Sequence, residues 1–255
     1  MKALLLELAD AVQRAVGQIA EDPGEVLGRG ADGAPSLRID RVAEEAVLRT
    51  LDYGGTKIDV LSEEAGFVRR GGDRLLVLDP IDGTHNAIRG VPAYSVSMAI
   101  GTDRLSDVEE GLVRDLVTGA TYYAARGRGA ALNGRPIRTR PSREGDLLIG
   151  VYIGKNADPS AARVAARARR VRHLGAASLD MCLVAHGASD LYYMHSATPE
   201  TKLRVVDIAA STLVVREAGG RVTDLGDRDL DIPMRPDART DLIAFGDPRA
   251  REAIR

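Results

Sequence analysis

Leu75-Leu76-Val77-Leu78-Asp79-Pro80-Ile81-Asp82-Gly83-Thr84 is the stretch from which the rest of the chain is read. Four consecutive apolar residues predict a buried strand, and Asp79-Pro80-Ile81-Asp82-Gly83-Thr84 is where that strand is expected to stop and turn. Two carboxylates three positions apart, with Pro80 fixing the backbone between them, can converge on one point. Bringing anions together costs energy unless a cation sits between them. Oxygen donors without a histidine at ligand spacing suit Mg²⁺ or Mn²⁺ rather than zinc. Gly83-Thr84 offers backbone N–H groups ahead of a short helix, a seat for phosphate. Asp-Pro and Asp-Gly are also ordinary turn chemistry. The six-residue string gains meaning from acidic partners elsewhere, and together they point to a metal-dependent phosphate site.

The 255 residues suffice for one large domain or two intimate halves. A hydrophobic content of 44%, a charged content of 28% and a net charge of −2 are those of a soluble globular chain, with no bulk charge to favour nucleic acid or membrane surfaces. Cys182 is the single cysteine, so no intrachain disulfide forms, and its apolar neighbours predict a buried residue. The Leu4-Leu5-Leu6 run is broken at once by Glu7 and Asp10, which leaves no visible targeting segment and a cytoplasmic enzyme as the expectation. Arginine greatly outnumbers lysine, which suits either life at high temperature or a GC-rich genome.

Leu5, Leu8, Val12, Ala15 and Ile19 predict an amphipathic helix over residues 3–20. The glycine-rich loop Gly28 to Ser36 reads as a flexible connection or, from its place before Asp40, as a mobile flap over a metal site. Asp40 opens a second helix with Val42, Ala43, Ala46, Val47 and Thr50 on its apolar face, and as a first-turn acid it needs no further role. A short strand, 57–61, leads into Ser62-Glu63-Glu64. Alternating apolar residues over 94–101, 108–116 and 121–124 predict antiparallel strands, and Asn133-Gly134 a tight turn. A polar junction near 140–146 divides residues 1–140, an α+β half, from 141–255, where strands and helices alternate as in α/β proteins. In this second half helices are expected at 159–170, 176–187 and 206–218, strands at 147–152, 171–174, 190–194, 220–225 and 241–245, and Asp247-Pro248 starts a last helix. Arg163, Arg167, Arg169 and Arg170 read as a solvated helix face, with Arg172 set apart at the end of the run. The four histidines show no metal-ligand spacing, and His186 reads as structural.

Asp207 lies in Arg204-Val205-Val206-Asp207-Ile208-Ala209-Ala210-Ser211, at the start of a helix rich in small residues. Asp40, Glu63-Glu64, Asp79 with Asp82, and Asp207, in this order along nearly the whole chain, resemble the inositol monophosphatase superfamily. The loop before Asp40 and the Arg-Val-Val-Asp string are similar to its short archaeal members, which hydrolyse inositol 1-phosphate and fructose 1,6-bisphosphate. The resemblance implies a five-layered α-β-α-β-α sandwich of the sugar-phosphatase type with the site between its halves, and a homodimer. It makes Glu63, Asp79 and the Ile81 carbonyl ligands of one ion and Asp79, Asp82 and Asp207 ligands of a second, with Glu63 near a third. Two such ions about 4 Å apart clamp attacking water and leaving oxygen. Thr84 with Asp40 would orient the water and relay its proton, with Glu64 as a further base. Gly83 and Thr84 amides would hold phosphate.

On the substrate side the resemblance implies Gly175-Ala176-Ala177, Arg172 and Glu200. A carboxylate at 200 suits a polyol and would repel a second phosphate unless Lys202 or Arg204 takes over. The expected function is thus a Mg²⁺-dependent phosphomonoesterase for which Mn²⁺ can substitute, and Asp82→Asn is expected to abolish turnover with the fold intact. Within enzymes the rival is a 3′-phosphoadenosine 5′-phosphate phosphatase, against which the short chain and the lack of tryptophan argue. From another class, an RNA-associated regulatory module could keep this fold, favoured only by the arginine run.

Overall fold

The computed structural model describes residues 1–31, 33–143 and 145–255; Asp32 of the glycine-rich loop and Glu144 of the polar junction lie outside the described residues. The chain begins with helix α1 (Lys2–Val16), a hairpin of β1 (Val26–Arg29) and β2 (Pro35–Leu37), and α2 (Arg38–Tyr53). Then come β3 (Asp59–Ser62), β4 (Gly66–Val68), β5 (Leu75–Asp82), the short α3 (Thr84–Arg89), β6 (Ser95–Gly101), β7 (Glu110–Asp115), β8 (Thr121–Ala125), β9 (Ala130–Leu132) and β10 (Arg135–Ile137). Strands β3 to β10 form one sheet in the order β10-β9-β8-β7-β6-β5-β3-β4. The β9–β10 turn has positive φ at both Asn133 and Gly134, as that pair predicts.

The second half runs β11 (Leu148–Val151), α4 (Ser160–Ala165), β12 (Arg170–Arg172), α5 (Ala177–Ala185), β13 (Leu191–Met194), β14 (Leu203–Arg204), α6 (Val205–Glu217), β15 (Arg221–Thr223), β16 (Arg239–Thr240), β17 (Leu242–Phe245) and α7 (Pro248–Ala253). Its sheet is ordered β12-β11-β13-β17-β15, while β14 and β16 pair as a separate ribbon.

Side-chain alternation along β5 organises the layers. Leu76 and Leu78 pack with Leu5, Leu8, Val12, Val47 and Leu51 of α1 and α2. Leu75 and Val77 face the other way, into a core with Leu179, Met181 and Cys182 of α5 and Ile208 and Val214 of α6. Tyr192, Met194, Leu242 and Ala244 of the second sheet join that core. Beyond this sheet, Ile149, Leu191, Ile243 and Phe245 meet Val164 of α4 and Ala250 of α7. The succession is α1/α2, sheet, α5/α6, sheet, α4/α7, the expected five layers. Helices α5 and α6 are buried nearly all round, as a helix between two sheets must be. Close packing of α6 requires Gly111 in β7, where a Cβ would stand 2.9 Å from the Ala210 carbonyl oxygen.

Several local expectations are corrected. β5 does not stop at Leu78: it continues to Asp82, with its register against β6 broken between Asp79 and Asp82. Its pairing with β3 ends at Leu78, so Pro80, which has no N–H to give, falls where a break tolerates it. The described residues on either side of Asp32 in the glycine-rich stretch pair as the β1/β2 hairpin. Helix α4 ends at Ala165, because Arg170–Arg172 pair in parallel with β11 and Arg169 and Arg170 meet Asp146. The arginine run is therefore not one helix face.

Candidate active site

Parallel pairing sets Ser62 of β3 opposite Leu78 of β5, so Glu63 and Asp79 follow side by side where that pairing ends. Asp207 comes from the far half, in the first turn of α6. Glu63, Asp79 and Asp207 each bring a carboxylate oxygen within 4.8 Å of the others. Burial, then the neighbouring acidic charges, pushes the Asp79 carboxyl well above the usual range. Burial raises Glu63 as well, against the pull of Arg204. Asp79 Oδ1 is buried without a hydrogen-bond partner. A buried orphan oxygen among convergent carboxylates, with no nitrogen or sulfur donor in the group, fits a hard divalent cation.

These three residues line a cavity of about 240 Å³ together with Ile81, Asp82, Gly83, Thr84 and Arg204. Arg204 reaches into the cluster: Nη1 is 2.7 Å from Glu63 Oε1 and Nη2 is 3.0 Å from Asp207 Oδ1. Its own backbone N–H donates to Asp207 Oδ2 at 2.8 Å, which closes the start of α6.

Asp82 links the halves. It accepts from the backbone N–H of Ala177 (3.1 Å) and Ser178 (2.7 Å) and from the Ser178 hydroxyl, all at the start of α5. Burial, partly offset by the Ser178 hydrogen bond, pushes its carboxyl up to about 7. Gly83 allows this approach: its φ is +90°, and a Cβ would meet the Ala93 carbonyl oxygen at 2.9 Å and Ala176 Cβ at 3.1 Å.

Thr84 Oγ1 lies 2.9 Å from both Asp40 Oδ1 and the Ile81 carbonyl oxygen. One hydroxyl hydrogen serves only one of two acceptors. The pair therefore has two proton arrangements: anionic Asp40 accepts from Thr84, or protonated Asp40 donates to Thr84 and Thr84 to Ile81. Burial pushes the Asp40 carboxyl up to about 7, against the Thr84 hydrogen bond, so both arrangements lie within reach near neutral pH. Glu44 of α2 accepts from the Ala65 N–H at 3.0 Å and holds the turn that carries Glu63 and Glu64. Ala31 of the hairpin donates to the Glu64 carbonyl at 2.8 Å, which ties the hairpin to that turn.

Gly175 and Ala177 line the cavity, and Ala176 packs on Gly83. Arg172, Glu200 and Lys202 are not among its lining residues. The Arg172 guanidinium donates to the Val171 carbonyl, Glu200 is exposed, and Lys202 Nζ stands 2.8 Å from the buried Asp241 carboxylate. Tyr152, His173, Tyr192 and Thr201 also line the cavity, though no sequence pattern marks them as site residues. His173 stands at the strand end next to Arg172, and its place before Gly175 was the one available signal. Asn86 was also missed: its Nδ2 donates to the Ala93 and Leu174 carbonyls at 2.6 and 2.7 Å and pins α3 to the 174–175 loop. His186 is structural, as expected, with Nδ1 3.0 Å from the Tyr122 hydroxyl and buried enough to lower its pKa. Cys182 is buried and burial raises its thiol pKa well above the usual value.

The sequence model of the inositol monophosphatase family matches residues 4–249. The chain is 35% identical to a fructose-1,6-bisphosphatase/inositol-1-monophosphatase of Methanothermobacter thermautotrophicus, over 99% of this chain and 94% of that one. It is 32% identical to a bifunctional NADP phosphatase/NAD kinase of Methanococcus maripaludis, over 95% of this chain and 46% of that longer one. Among solved structures it superposes on an inositol monophosphatase–fructose 1,6-bisphosphatase gene product with a TM-score of 0.86 and 27% identity, covering 99% and 97% of the two chains.

Proposed function

The chain belongs to the inositol monophosphatase family, and from that premise we propose that it is a metal-dependent phosphoric monoester hydrolase of inositol 1-phosphate, fructose 1,6-bisphosphate or both. The observation that carries the reading is the convergence of Glu63, Asp79 and Asp207 beside the Asp82-Gly83-Thr84 turn. Glu63, Asp79, Asp82, Asp207 and the Ile81 carbonyl would hold two or three ions, Mg²⁺ by preference and Mn²⁺ as a substitute. Such ions, when bound, polarise the phosphoryl oxygens and acidify water.

The chain's own groups do the positioning. Gly83 and Thr84 open α3, whose first N–H groups have no helical acceptor and suit phosphate oxygens. Thr84 accepts a hydrogen bond from the attacking water and passes a proton towards Asp40, with Glu64 close enough to share charge with Asp40. Water's oxygen bonds to phosphorus as the ester P–O bond breaks, and the leaving alkoxide takes up a proton to become the alcohol. Residues 1–140 thus carry most ion ligands, while 141–255 supply Asp207 and the substrate-side loop at Gly175-Ala176-Ala177. By family resemblance we place Arg172 and Glu200 on the substrate side, with Lys202 or Arg204 as the alternative to Glu200 where a second phosphate has to be held. The same resemblance underlies assignment to a homodimer; among the described residues, no helix is long and apolar enough to cross a membrane.

The test is phosphate release from inositol 1-phosphate, fructose 1,6-bisphosphate, NADP and 3′-phosphoadenosine 5′-phosphate, with Mg²⁺ and with a chelator. Release from one or both of the first two, lost on chelation, is the expected result. Turnover of the nucleotides alone would move the substrate class, and turnover that survives chelation would remove the metal reading. Within the relay, Thr84→Ala is expected to lower kcat about 10²–10³-fold with KM little changed, while Thr84→Ser keeps most activity. Equal losses in both variants would show that the hydroxyl is not the working group.

A further inference from the structure

Arg204 makes a contact that substrate binding does not require. Its guanidinium spans Glu63 Oε1 at 2.7 Å and Asp207 Oδ1 at 3.0 Å, two of the three carboxylates that converge. Its Nε also points at Asp207 Oδ1, 3.2 Å away. The proposed ligand sets put Glu63 with one ion and Asp207 with another, so a single guanidinium blocks one ligand of each. Charge logic explains why it sits there. Buried acidic groups this close repel one another, and a cation among them relieves that repulsion.

Arg204 also lines a second cavity, of about 320 Å³, whose wall it shares with Glu63. Arg235, Asp237 and Arg239 line this chamber too. It has room for a guanidinium, but its acid, Asp237, already stands 3.6 Å from Arg235, and Arg235 and Arg239 oppose a third positive charge.

Resting on the metal-site reading above, we propose that Arg204 is a displaceable internal cation. It occupies the ligand cluster of the ion-free protein, and divalent ions drive its guanidinium towards the Arg235–Arg239 chamber. Two properties follow. Ion affinity is reduced by the fraction of molecules in which Arg204 is in place, since only the opened form binds. The first ion, by expelling Arg204, also frees a ligand of the second, so the two binding events are positively coupled.

Isothermal calorimetry with MgCl₂ and thermal unfolding of the chelator-treated protein test this on wild type, Arg204→Gln and Arg204→Lys. Arg204→Gln is expected to bind Mg²⁺ about tenfold more tightly, with a shallower isotherm, and to melt at lower temperature when ion-free. Arg204→Lys, a point charge without the two-pronged geometry, is expected between the two. Unchanged or weaker Mg²⁺ binding in Arg204→Gln would overturn the proposal. So would a loss of melting temperature that is equal with and without Mg²⁺, the mark of a merely structural arginine. Should Arg204→Gln fail to fold, the side-chain Nε–H resonance of Arg204 in the wild type decides: it shifts on Mg²⁺ saturation if the bond to Asp207 opens, and stays if the arginine does not move. Absence of any Mg²⁺ binding to the wild type would instead sink the metal-site reading itself.

Discussion

Asp79→Asn is expected to abolish phosphate release and, at the same time, to stabilise the ion-free protein. The loss of turnover should exceed the 10²–10³-fold or so that deletion of one transition-state donor costs, because Asp79 is proposed to serve both ions. The gain in stability has a different origin. Burial and the Glu63, Asp82 and Asp207 charges raise the Asp79 carboxyl, so the folded state keeps a proton that the unfolded chain gives up. Stability then falls as pH climbs from the ordinary carboxylate range through the raised folded value. Asparagine has the same shape and no such proton. Its ion-free stability should exceed wild type by about 1–3 kcal/mol at neutral pH, several degrees in melting temperature for a chain of this size, and the gap should close on acidification. Mg²⁺ reverses the order, since at a hundred times its dissociation constant it adds about 2.7 kcal/mol to the wild type alone. Melting curves from pH 5 to 8, with chelator and with Mg²⁺, check both signs. An ion-free variant no more stable than wild type at pH 8 would mean that the acidic cluster carries no strain.

Asp82→Asn is expected to fail differently, with a cost in stability beside the loss of turnover. The Asp82 carboxylate accepts three hydrogen bonds from the start of α5, across the division between the halves. An amide has one acceptor oxygen, and its NH₂ would face a donor. The variant should therefore lose activity and also about 2–3 kcal/mol of stability, with and without Mg²⁺. Chemical denaturation checks this, and an Asp82→Asn protein as stable as wild type in both conditions would show that the α5 contacts are easily replaced.

The contrast between these two aspartates marks how far the sequence could be read. The Asp79–Thr84 string, Glu63-Glu64 and Asp207 are legible because each is a local pattern at the end of a strand or the start of a helix. The five layers are implied by the family resemblance, whereas Leu75 to Leu78 by themselves give only a buried strand and do not say which side chains face α1 and α2 and which face α5 and α6. The partners of the acids were not legible. Arg204 lies far from Glu63 along the chain, and only the packing of α6 against the first sheet brings them together. Ala177 and Ser178 reach Asp82 for the same reason. Errors in local structure arose where strand pairing overrode propensity. Alanine and arginine favour helix throughout 159–170, but β11 recruits Arg170–Arg172 as an edge strand. Proline suggested a strand end at Asp79, yet β6 continues to hold the chain as far as Asp82.

Helices α5 and α6 have almost no outer surface, because each sheet covers one side of them. Cutting the chain near residue 140 would leave the second fragment holding two helices with a large apolar face turned to water, and the first fragment a sheet stripped of its cover on that side. The first piece would hold Glu63, Asp79 and Asp82 but lack Asp207, so the acidic cluster is complete only when the pieces dock. The two fragments should recover together or not at all on mixing, so that activity itself becomes a reporter of reassembly.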